Sequence, residues 1–563
     1  MISNNVQKST MKLLSAGTFL VTVFLLTTSN TDPVNVTKLF VLGGVGVSGL
    51  FMSVVFGRKY LWENFKSPLL AAALILLSII SSTIFSGAPI EQTIYGTYGR
   101  NTGALTYVLF TFIFICSLLV GNKAYIKKIV YAFFAAGLLN IVYCGWVLLF
   151  GDFVGWNNQY GKILGLFGNP DFISAFLGMF IAASSAYILS NESRVLVRVG
   201  LSIASIIAFF EIVKSHAIQG IVVTVGGIAV SLFYLIVTRY KNNFASLAYL
   251  LLVLILGGLA ILGSLQKGPL SFVYKRSVSL RGSYWRAGIG MGTENPLTGV
   301  GLDTYGDWYR RTRPPVALID MPGVNVMSNV SHNVFIDFFA SGGFPMALSY
   351  VFLTALGFLA AVRITRKLTK FDPIFVGLVS AWLCYEVQSI ISINQIGLAV
   401  WGWLFTGLLI GYERVTANPS NQTLRMEKLG HKVNAQVVTP GLVIGVGVMA
   451  GLLLAFPPIN ADAKWFSATN SRQLVNIESA LKPSLFNPAS SYKYSIAVNL
   501  LQSSNLSDLA LKYARVAVRF NSDHFDSWKQ LYLLQNSTAE EKSEALANMK
   551  RLDPLNPDVT STK

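Results

Sequence analysis

The sequence "RGSYWRAGIGMGTENPLTGVGLDTYGDWYRR" (residues 281–311), followed by "SNVSHNVFIDFFASGGFP" (residues 328–345), interrupts a chain that is otherwise a series of apolar runs. The polar part extends from Ser264 to about Asn333 and contains more cations than acids. Its eight cations are Lys267, Lys275, Arg276, Arg281, Arg286, Arg310, Arg311 and Arg313, and its four acids are Glu294, Asp303, Asp307 and Asp320. A basic, aromatic and glycine-rich segment between membrane spans predicts a site for an anionic ligand.

The composition is typical of a polytopic membrane protein. Of 563 residues, 53% are hydrophobic and only 12% are charged, which predicts an all-α bundle of about 12–13 transmembrane helices. The net charge of +18 does not indicate nucleic-acid binding, because most of the excess lies in short loops between the spans. All three cysteines lie in apolar runs, which favours packing over disulfides or metal binding.

Apolar runs long enough to cross a bilayer recur along the chain. They lie near residues 12–28, 39–56, 68–86, 104–121, 129–150, 171–190, 195–213, 218–237, 245–263, 346–363, 374–393, 396–412 and 440–456. The first run could be a signal peptide, but its length and the lack of a convincing cleavage site favour a retained span.

The distribution of Lys and Arg between the loops predicts the orientation. With the N-terminus in the cytoplasm, the short inner loops contain 18 cations and the short outer loops contain four. The inner cations are Arg58, Lys59, Lys66, Lys123, Lys127, Lys128, Arg194, Arg198, Arg239, Lys241, Arg363, Arg366, Lys367, Lys370, Arg414, Arg425, Lys428 and Lys432; the outer ones are Lys38, Arg100, Lys162 and Lys214. Nine spans precede the 264–333 segment, so this segment and the C-terminal tail are predicted to lie outside.

The tail, from about residue 457, is polar and has a helical pattern. Phe486, Phe520 and Leu555 follow one another at intervals of 34 and 35 residues within similar short sequences. That spacing is the tetratricopeptide period, in which each repeat is a pair of helices. It predicts a small helical repeat domain that docks a protein partner or stabilises the membrane part; a short helical cap without a ligand is the alternative.

One histidine and three arginines are the first candidates for chemistry. His332 precedes the apolar sequence "NVFIDFF" and could accept a proton at a membrane boundary, or could be a structural hydrogen-bonding residue. Arg281 and Arg286 lie on either side of Trp285, and Arg100 lies in another predicted outer loop. Guanidinium groups bind phosphate with two hydrogen bonds, so together these residues predict a pyrophosphate site.

Two further polar turns are predicted at the same face. Asn169 and Pro170 precede the sixth span, where Asp171 is expected to be the N-cap, and Ser215, His216 and Gln219 connect the seventh and eighth spans. Polar groups at the edge of a bundle can line a cavity or can simply form capped turns. No His or Cys pair has the spacing of metal ligands, so no metal site is predicted.

These sequences resemble the bacterial O-antigen ligase and polymerase family (Wzy-C type). The resemblance rests on the ordered set Arg281, Trp285, Pro296, Leu297, Gly299, Gly301, His332, Asn333, Gly342 and Gly343. "YGRNTG" (98–103), "GNPDF" (168–172) and "NQIGLAVWGWLFTGLL" (394–409) support it, and it covers most of residues 60–412. A tetratricopeptide tail also occurs in members of this family.

The resemblance implies a metal-independent, inverting glycosyltransferase of the GT-C type in the bacterial cytoplasmic membrane. It would transfer a glycan from an undecaprenyl-diphosphate carrier to a glycan, lipid or protein acceptor outside the membrane, without a cofactor. The implied catalytic residues are His332, as base or acceptor-positioning residue, and Arg281, as diphosphate ligand. Residues of the implied substrate site are Arg100, Trp285, Arg286, Asn169, His216, Gln219 and Asn333. The family has an arginine where this chain has His216, so Lys214, His216 or Gln219 would replace that contact.

The expected domains are a transmembrane domain (1–456) that contains the outer loop 264–333, and an outer helical domain (457–563). Ligation and polymerisation use the same chemistry and both remain open. A transporter or flippase of an anionic glycolipid is the main alternative, although no internal repeat is evident and buried charges are few (Glu211, Asp337 and Glu386). A non-catalytic scaffold that recruits partners through its tail is the third possibility.

Overall fold

The computed structural model describes residues 2–154, 156, 158–241, 243–269, 271, 279–320, 323–417, 438–471 and 473–561, with only the backbone described at 243, 320, 416 and 417. Some predicted features lie outside these residues. They are the segment cations Lys275 and Arg276, the loop cations Arg425, Lys428 and Lys432, and His431.

The part of the chain before the polar segment is a series of helices joined by short turns. They are α1 (Asn4–Val23), α2 (Asn35–Met52), α3 (Arg58–Asn64), α4 (Lys66–Phe85), α5 (Ile90–Tyr95), α6 (Ala104–Ser117), α7 (Lys123–Phe150), α8 (Pro170–Leu189), α9 (Val195–Ser215), α10 (Ile218–Tyr240) and α11 (Asn243–Ser264). One π-helical turn, Ser53–Gly57, joins α2 to α3. The described residues contain no β-strand, which confirms the all-α prediction.

The 264–333 segment is itself largely helical, which the sequence analysis did not predict. It contains α12 (Arg281–Glu294), α13 (Tyr305–Thr312) and α14 (Ala317–Asp320). These helices have a small apolar core of their own, in which Ala287 and Met291 of α12 meet Tyr305 and Tyr309 of α13. The segment is therefore a folded cap on one end of the bundle rather than an extended loop.

Four helices complete the bundle: α15 (Val334–Lys367), α16 (Pro373–Ile391), α17 (Ile396–Ala417) and α18 (Pro440–Leu454). Small residues allow some of them to approach closely. A methyl group added to Gly451 of α18 would lie 2.0 Å from the carbonyl oxygen of Gly43 in α2, so the two backbones are in direct contact. Close approach of this kind is common between membrane helices.

Within the described residues, ten helices are long and apolar enough to cross a membrane, or up to eleven if a bent pair counts as one span. This number is lower than the predicted 12–13. The predicted span near 104–121 is the 14-residue helix α6, about 21 Å long, which is shorter than a bilayer core. The run near 440–456 is the first half of a pair bent by 47°.

Lys38 corrects one detail of the predicted topology. It was counted among the outer-loop cations, but it lies inside α2 and is fully buried. Its ammonium group donates hydrogen bonds to the carbonyl oxygens of Val21 and Thr22, near the end of α1. A single charge beside apolar neighbours is a weak signal of a loop, because a nearby helix end can supply the carbonyl groups that it needs.

The tail folds around a second apolar core. Its helices are α19 (Phe456–Ser471), α20 (Leu474–Leu481), α21 (Ser491–Ser503), α22 (Ser507–Phe520), α23 (Phe525–Leu533), α24 (Ala539–Leu552) and α25 (Pro557–Thr560). The first helices of the two pairs α21–α22 and α23–α24 begin at Ser491 and Phe525, 34 residues apart. Ala510, Ala514 and Ala517 of α22 are fully buried, which permits close packing within the pair.

Candidate functional site

Two glycine-containing motifs that are far apart in sequence form one structural unit. Helix α15 is broken at Gly342 and Gly343, and the turn Pro296–Gly301 fits into the break. The amides of Val300 and Gly301 donate to the carbonyl oxygens of Ala340 (2.9 Å) and Ser341 (3.1 Å). These bonds satisfy carbonyl groups that a broken helix leaves without a partner.

The glycines of this unit are required by space as well as by backbone angle. Gly299 has a φ of +63°, and a methyl group there would lie 2.2 Å from the Ser341 backbone. Gly343 has a φ of +64°, and a methyl group there would lie 2.3 Å from the Pro296 carbonyl oxygen. The unit fixes the start of α15 relative to the 264–333 segment, and therefore fixes the position of the residue that precedes the N-cap of α15.

That residue is His332, which is half-buried and has a left-handed backbone with a φ of 56°. Its neighbours hold it in place. The Ser331 amide donates to the Asp337 carboxylate (2.8 Å), and the Asn333 side chain accepts from the amides of Phe335 and Ile336 as the N-cap of α15.

Helix α12 brings its own polar residues to the same place. The Tyr284 ring lies 5.6 Å from the His332 ring, with the two planes tilted by 32°. Arg281 is one turn earlier on the same helix, and its positive charge acts on His332. Tyr284 was not predicted as a site residue; its spacing of three from Arg281 would have indicated it, had residues 281–294 been recognised as a helix.

Arg100 also lies near His332, and it comes from the turn before α6. Its Nη1 donates to the Asn329 carbonyl oxygen (3.0 Å), and its Nε lies 3.6 Å from the Asp303 carboxylate. The other carboxylate oxygen of Asp303 accepts from the amides of Thr97 (2.7 Å) and Thr102 (3.3 Å). Asp303 therefore ties the Arg100 turn to the 264–333 segment; it is a positioning residue that sequence analysis did not identify.

The electrostatic environment changes the pKa values of His332 and Arg281. Burial, Arg281 and Arg100 together lower the pKa of His332 to about 3. Burial also lowers the pKa of the Arg281 guanidinium, and the charge of Asp171 in the first turn of α8 opposes this effect. The charges of two guanidinium groups thus act on a neutral imidazole, and the pKa of His332 lies well below the ordinary histidine value near 6.5.

The predicted site residues of α12 lie on two different faces of the helix. Trp285 follows Arg281 by four residues, and its indole N–H is buried without an acceptor among the described residues. Arg286 is exposed and lies about 140° around the helix from Arg281. Trp285 therefore accompanies Arg281, whereas the charges that act on His332 do not include Arg286.

Asn169 has a structural role in the protein. Its side-chain oxygen accepts from the Asp171 amide (2.8 Å), so Asn169 is the N-cap of α8, and the prediction that Asp171 is the N-cap was wrong. Its amide nitrogen donates to the Tyr160 hydroxyl (3.1 Å). Proline at the first helical position favours a cap one residue earlier, because its own missing N–H costs nothing there.

The turn after α9 contains the last two predicted residues. His216 is exposed and ends α9 with a φ of 58°, whereas Gln219 is only 4% exposed. Neither the oxygen nor the nitrogen of the Gln219 amide has a partner among the described residues. The adjacent Gly220 is in contact with Ser174 of α8, so Gln219 lies against the helix whose first turn bears Asp171.

Three cations of the 264–333 segment hold the tail rather than a free anion. Arg310 and Arg313 form buried ion pairs with Asp553 (3.1 and 2.7 Å), and Arg311 pairs with Asp523 (2.8 Å). The prediction that the cations of this segment bind an anionic ligand is therefore wrong for these three. Among the segment cations that the structure describes, Arg281 is the one whose charge acts on His332.

The described residues contain no group of three or more His, Cys, Asp or Glu that could hold a metal ion. A comparison with curated proteins finds no match to this chain. Residues 203–351, the part that contains Arg281, the Pro296–Gly301 turn and His332, match the family model described as O-antigen ligase. Over this part the chain is similar to the O-antigen ligases, and together with the bundle of apolar helices this similarity supports a multi-pass membrane enzyme of polysaccharide biosynthesis.

Proposed function

We propose that this protein is a glycosyltransferase of the bacterial cytoplasmic membrane. It transfers a glycan from an undecaprenyl-diphosphate carrier to an acceptor on the outer face, as a ligase or as a polymerase, in surface polysaccharide or glycoconjugate synthesis. The observation that carries the proposal is the convergence of helix α12 and the Arg100 turn on His332. The ring of Tyr284, one turn after Arg281, lies 5.6 Å from the His332 ring, Arg100 donates to Asn329 close to His332 in the chain, and the charges of both arginines act on His332.

The arrangement suits a single displacement at the anomeric carbon. An acceptor oxygen forms a bond to this carbon while the bond to the diphosphate breaks, and the carrier diphosphate leaves with the bonding electron pair. Arg281 and Arg100 stabilise the charge that grows on the leaving oxygen. His332 accepts the proton of the acceptor hydroxyl, and one displacement inverts the configuration at the carbon.

Binding of the donor adjusts His332 for this role. Without the donor, burial and, to a smaller extent, the charges of Arg281 and Arg100 hold the pKa of His332 near 3, which makes it a weak base. A diphosphate placed on Arg281 and Arg100 neutralises their charge, so the pKa of His332 rises when the donor is present. The base is therefore strengthened in the complex that needs it.

Other parts of the protein have supporting roles in the proposal. Gln219 and Trp285 supply buried hydrogen-bonding groups to the donor. The family has an arginine at the position of His216, and Gln219 takes over the contact of that arginine. The tail (457–563) is a tetratricopeptide-like domain outside the membrane domain (1–456), in keeping with its helix pairs 34 residues apart. In this proposal the N-terminus is cytoplasmic and the 264–333 segment is outside, as the distribution of loop charges predicts.

The test uses purified protein in vesicles with an undecaprenyl-diphosphate-linked oligosaccharide. His332→Ala and Arg281→Ala are expected to abolish transfer, whereas Arg363→Ala, which breaks the half-exposed pair with Glu413, is the matched control and is expected to retain it. Full transfer by His332→Ala would remove its role as base. Movement of the carrier across the bilayer without transfer would instead establish the transporter, and neither activity would favour the scaffold.

The products in cells distinguish ligation from polymerisation. Deletion of a ligase removes whole glycans from their anchor, and deletion of a polymerase shortens the chains. Mass spectrometry of surface glycans from a deletion strain measures this difference and also identifies the sugar and the acceptor.

A further inference from the structure

A cavity of about 340 Å³ lies between the tail and the site. Apart from Val36 of α2, three parts of the chain form its wall. They are α5 with the turn that follows it as far as Asn101, the 264–333 segment between Asp303 and Asn329, and the tail from Pro458 to Ile496 with His524 and Asp526. Its volume is within the range of small-molecule sites, about 300–1,000 Å³. The family match ends before the tail, so this cavity is a property of the assembled chain.

The wall of the cavity is acidic. Its carboxylates come from all three parts of the chain, whereas its basic groups are Lys493 and His524. The carboxylates belong to Glu91, Asp303, Asp307, Asp462 and Asp526. Arg100 compensates Asp303 and Arg310 compensates Asp526, and the other carboxylates still make the wall unfavourable for anions. The wall also offers acceptors to hydroxyl and ammonium groups.

The wall also contains aromatic rings and oxygen atoms without partners. Tyr95 and Tyr98 line it, and Tyr98 stacks on Tyr492 of the tail with ring centres 4.0 Å apart. Asn101 and Asp462 also line the cavity, and both residues are more than nine-tenths buried. One side-chain oxygen of each has no hydrogen-bond partner among the described residues. A wall that combines aromatic rings with amide and carboxylate groups suits the apolar faces and hydroxyl groups of a sugar.

The cavity is connected through Asp303 and Asn329 with the reactive group, by which we mean His332, Arg281 and Arg100. Both residues line the cavity, and both contact Arg100, which acts on His332. Arg281 does not line it. A molecule in the cavity thus approaches His332 from the side of Asp303, and the Arg281 side is left for the donor diphosphate.

We propose that this cavity binds the acceptor as a short neutral or amino-sugar saccharide, held by the tail on one wall and by the 264–333 segment on the other. This inference rests on the proposed transfer reaction, because it assigns the acceptor subsite of that reaction. It gives the tail a part in substrate binding. Acidic sugars are excluded by the carboxylates of the wall.

The first test blocks the cavity without altering the reactive group. Ser490→Trp places a large ring in the cavity wall, whereas Ser503→Trp, at the exposed other end of α21, is the matched control. With the oligosaccharide donor in vesicles, Ser490→Trp is expected to raise the KM for the acceptor about tenfold or more and to leave the KM for the donor unchanged. An unchanged acceptor KM in folded Ser490→Trp protein would overturn the proposal.

The second test detects the occupant directly in cells that make the glycan. A photoreactive benzoylphenylalanine at Ser490 is expected to yield a sugar-containing adduct after illumination, and the same group at Ser503 is expected to yield none. A peptide adduct without sugar would identify a protein occupant and overturn the proposal, as would the absence of any adduct at Ser490.

The same cross-link is repeated in the His332→Ala background, because His332 does not line the cavity. The adduct is expected to persist there while transfer is lost. If the protein with benzoylphenylalanine at Ser490 transfers the glycan normally but forms no adduct, the saccharide site is refuted and the proposed transfer reaction is not. An adduct together with undiminished transfer by His332→Ala would refute the proposed mechanism alone.

Discussion

The Arg313 guanidinium donates to the Asp553 carboxylate across 2.7 Å, and both side chains are fully buried although 240 residues separate them in sequence. The other oxygen of the same carboxylate accepts from Arg310. One tail residue thus compensates two buried cations of the segment that leads to His332. The tail is therefore part of the fold of the site.

Replacing Asp553 with alanine is expected to detach the tail from the segment. The change leaves the buried Arg313 guanidinium without its carboxylate and leaves Arg310 with only the longer pair to Asp526 (3.7 Å), at a cost of about 3–5 kcal/mol. Limited proteolysis and thermal unfolding of the purified protein in detergent measure the effect. Glu541→Gln is the control, because it weakens a partly exposed pair with Arg515 whose contribution is about 0–1 kcal/mol. Equal stability of the two variants would contradict the structural role of Asp553.

Replacing Gly299 with alanine is expected to disrupt the junction between the Pro296–Gly301 turn and the break in α15. The left-handed backbone alone costs about 1–3 kcal/mol, and the contact at 2.2 Å with Ser341 adds to it. Transfer activity and thermal stability should both fall. Gly200→Ala in α9, where an added methyl group meets nothing within 4 Å, should change neither. A fully active Gly299→Ala protein would show that the junction does not position His332.

Arg281 and Arg286 are expected to differ strongly although they are five residues apart. Arg281→Ala removes a charge that acts on His332 and should reduce kcat by about 10²–10³-fold or more. Arg286→Ala alters an exposed side chain on another face of α12 and should change kcat less than about threefold. Initial rates at saturating donor measure both. Similar losses in the two variants would mean that the donor contacts both faces of the helix.

The pH dependence of the rate is expected to reveal the change in His332 on donor binding. A base works when unprotonated, so the rate falls at pH values below its pKa. The acid limb of kcat/KM reports the free protein, in which the pKa of His332 is about 3, and the acid limb of kcat reports the donor complex, in which it is higher. The KM for the donor should therefore decrease as the pH is lowered between these two values.

Arg100→Gln provides the matching variant for this pH experiment. It removes one of the two cations that lower the pKa of His332, so the acid limb of kcat/KM should move to higher pH. Coincident acid limbs for kcat and kcat/KM in the unchanged protein would exclude His332 as the group whose pKa responds to the donor.

The sequence alone determined the membrane class, the all-α fold and most helix positions, because these depend on hydrophobicity summed over neighbouring residues. It also identified His332, Arg281 and Arg100 as candidates. In the folded chain the charges of both arginines act on His332, and the roles of all three in the reaction stay a prediction. It missed the helix at 281–294, since this stretch is glycine-rich and has no strong apolar period. Without that helix, Tyr284 and the separate face of Arg286 could not be recognised.

Only the tertiary structure decided which charges of the 264–333 segment face the reactive group and which hold the tail. Arg281 and Arg313 are chemically the same in sequence, but Arg313 has Asp553 as its buried partner and Arg281 lies beside His332. The partner of a buried charge is set by the packing of distant elements, because leaving it unpaired in the interior costs several kcal/mol. The sequence around each arginine does not identify that partner, so only the tertiary structure shows which cations pair with the tail and which act on His332.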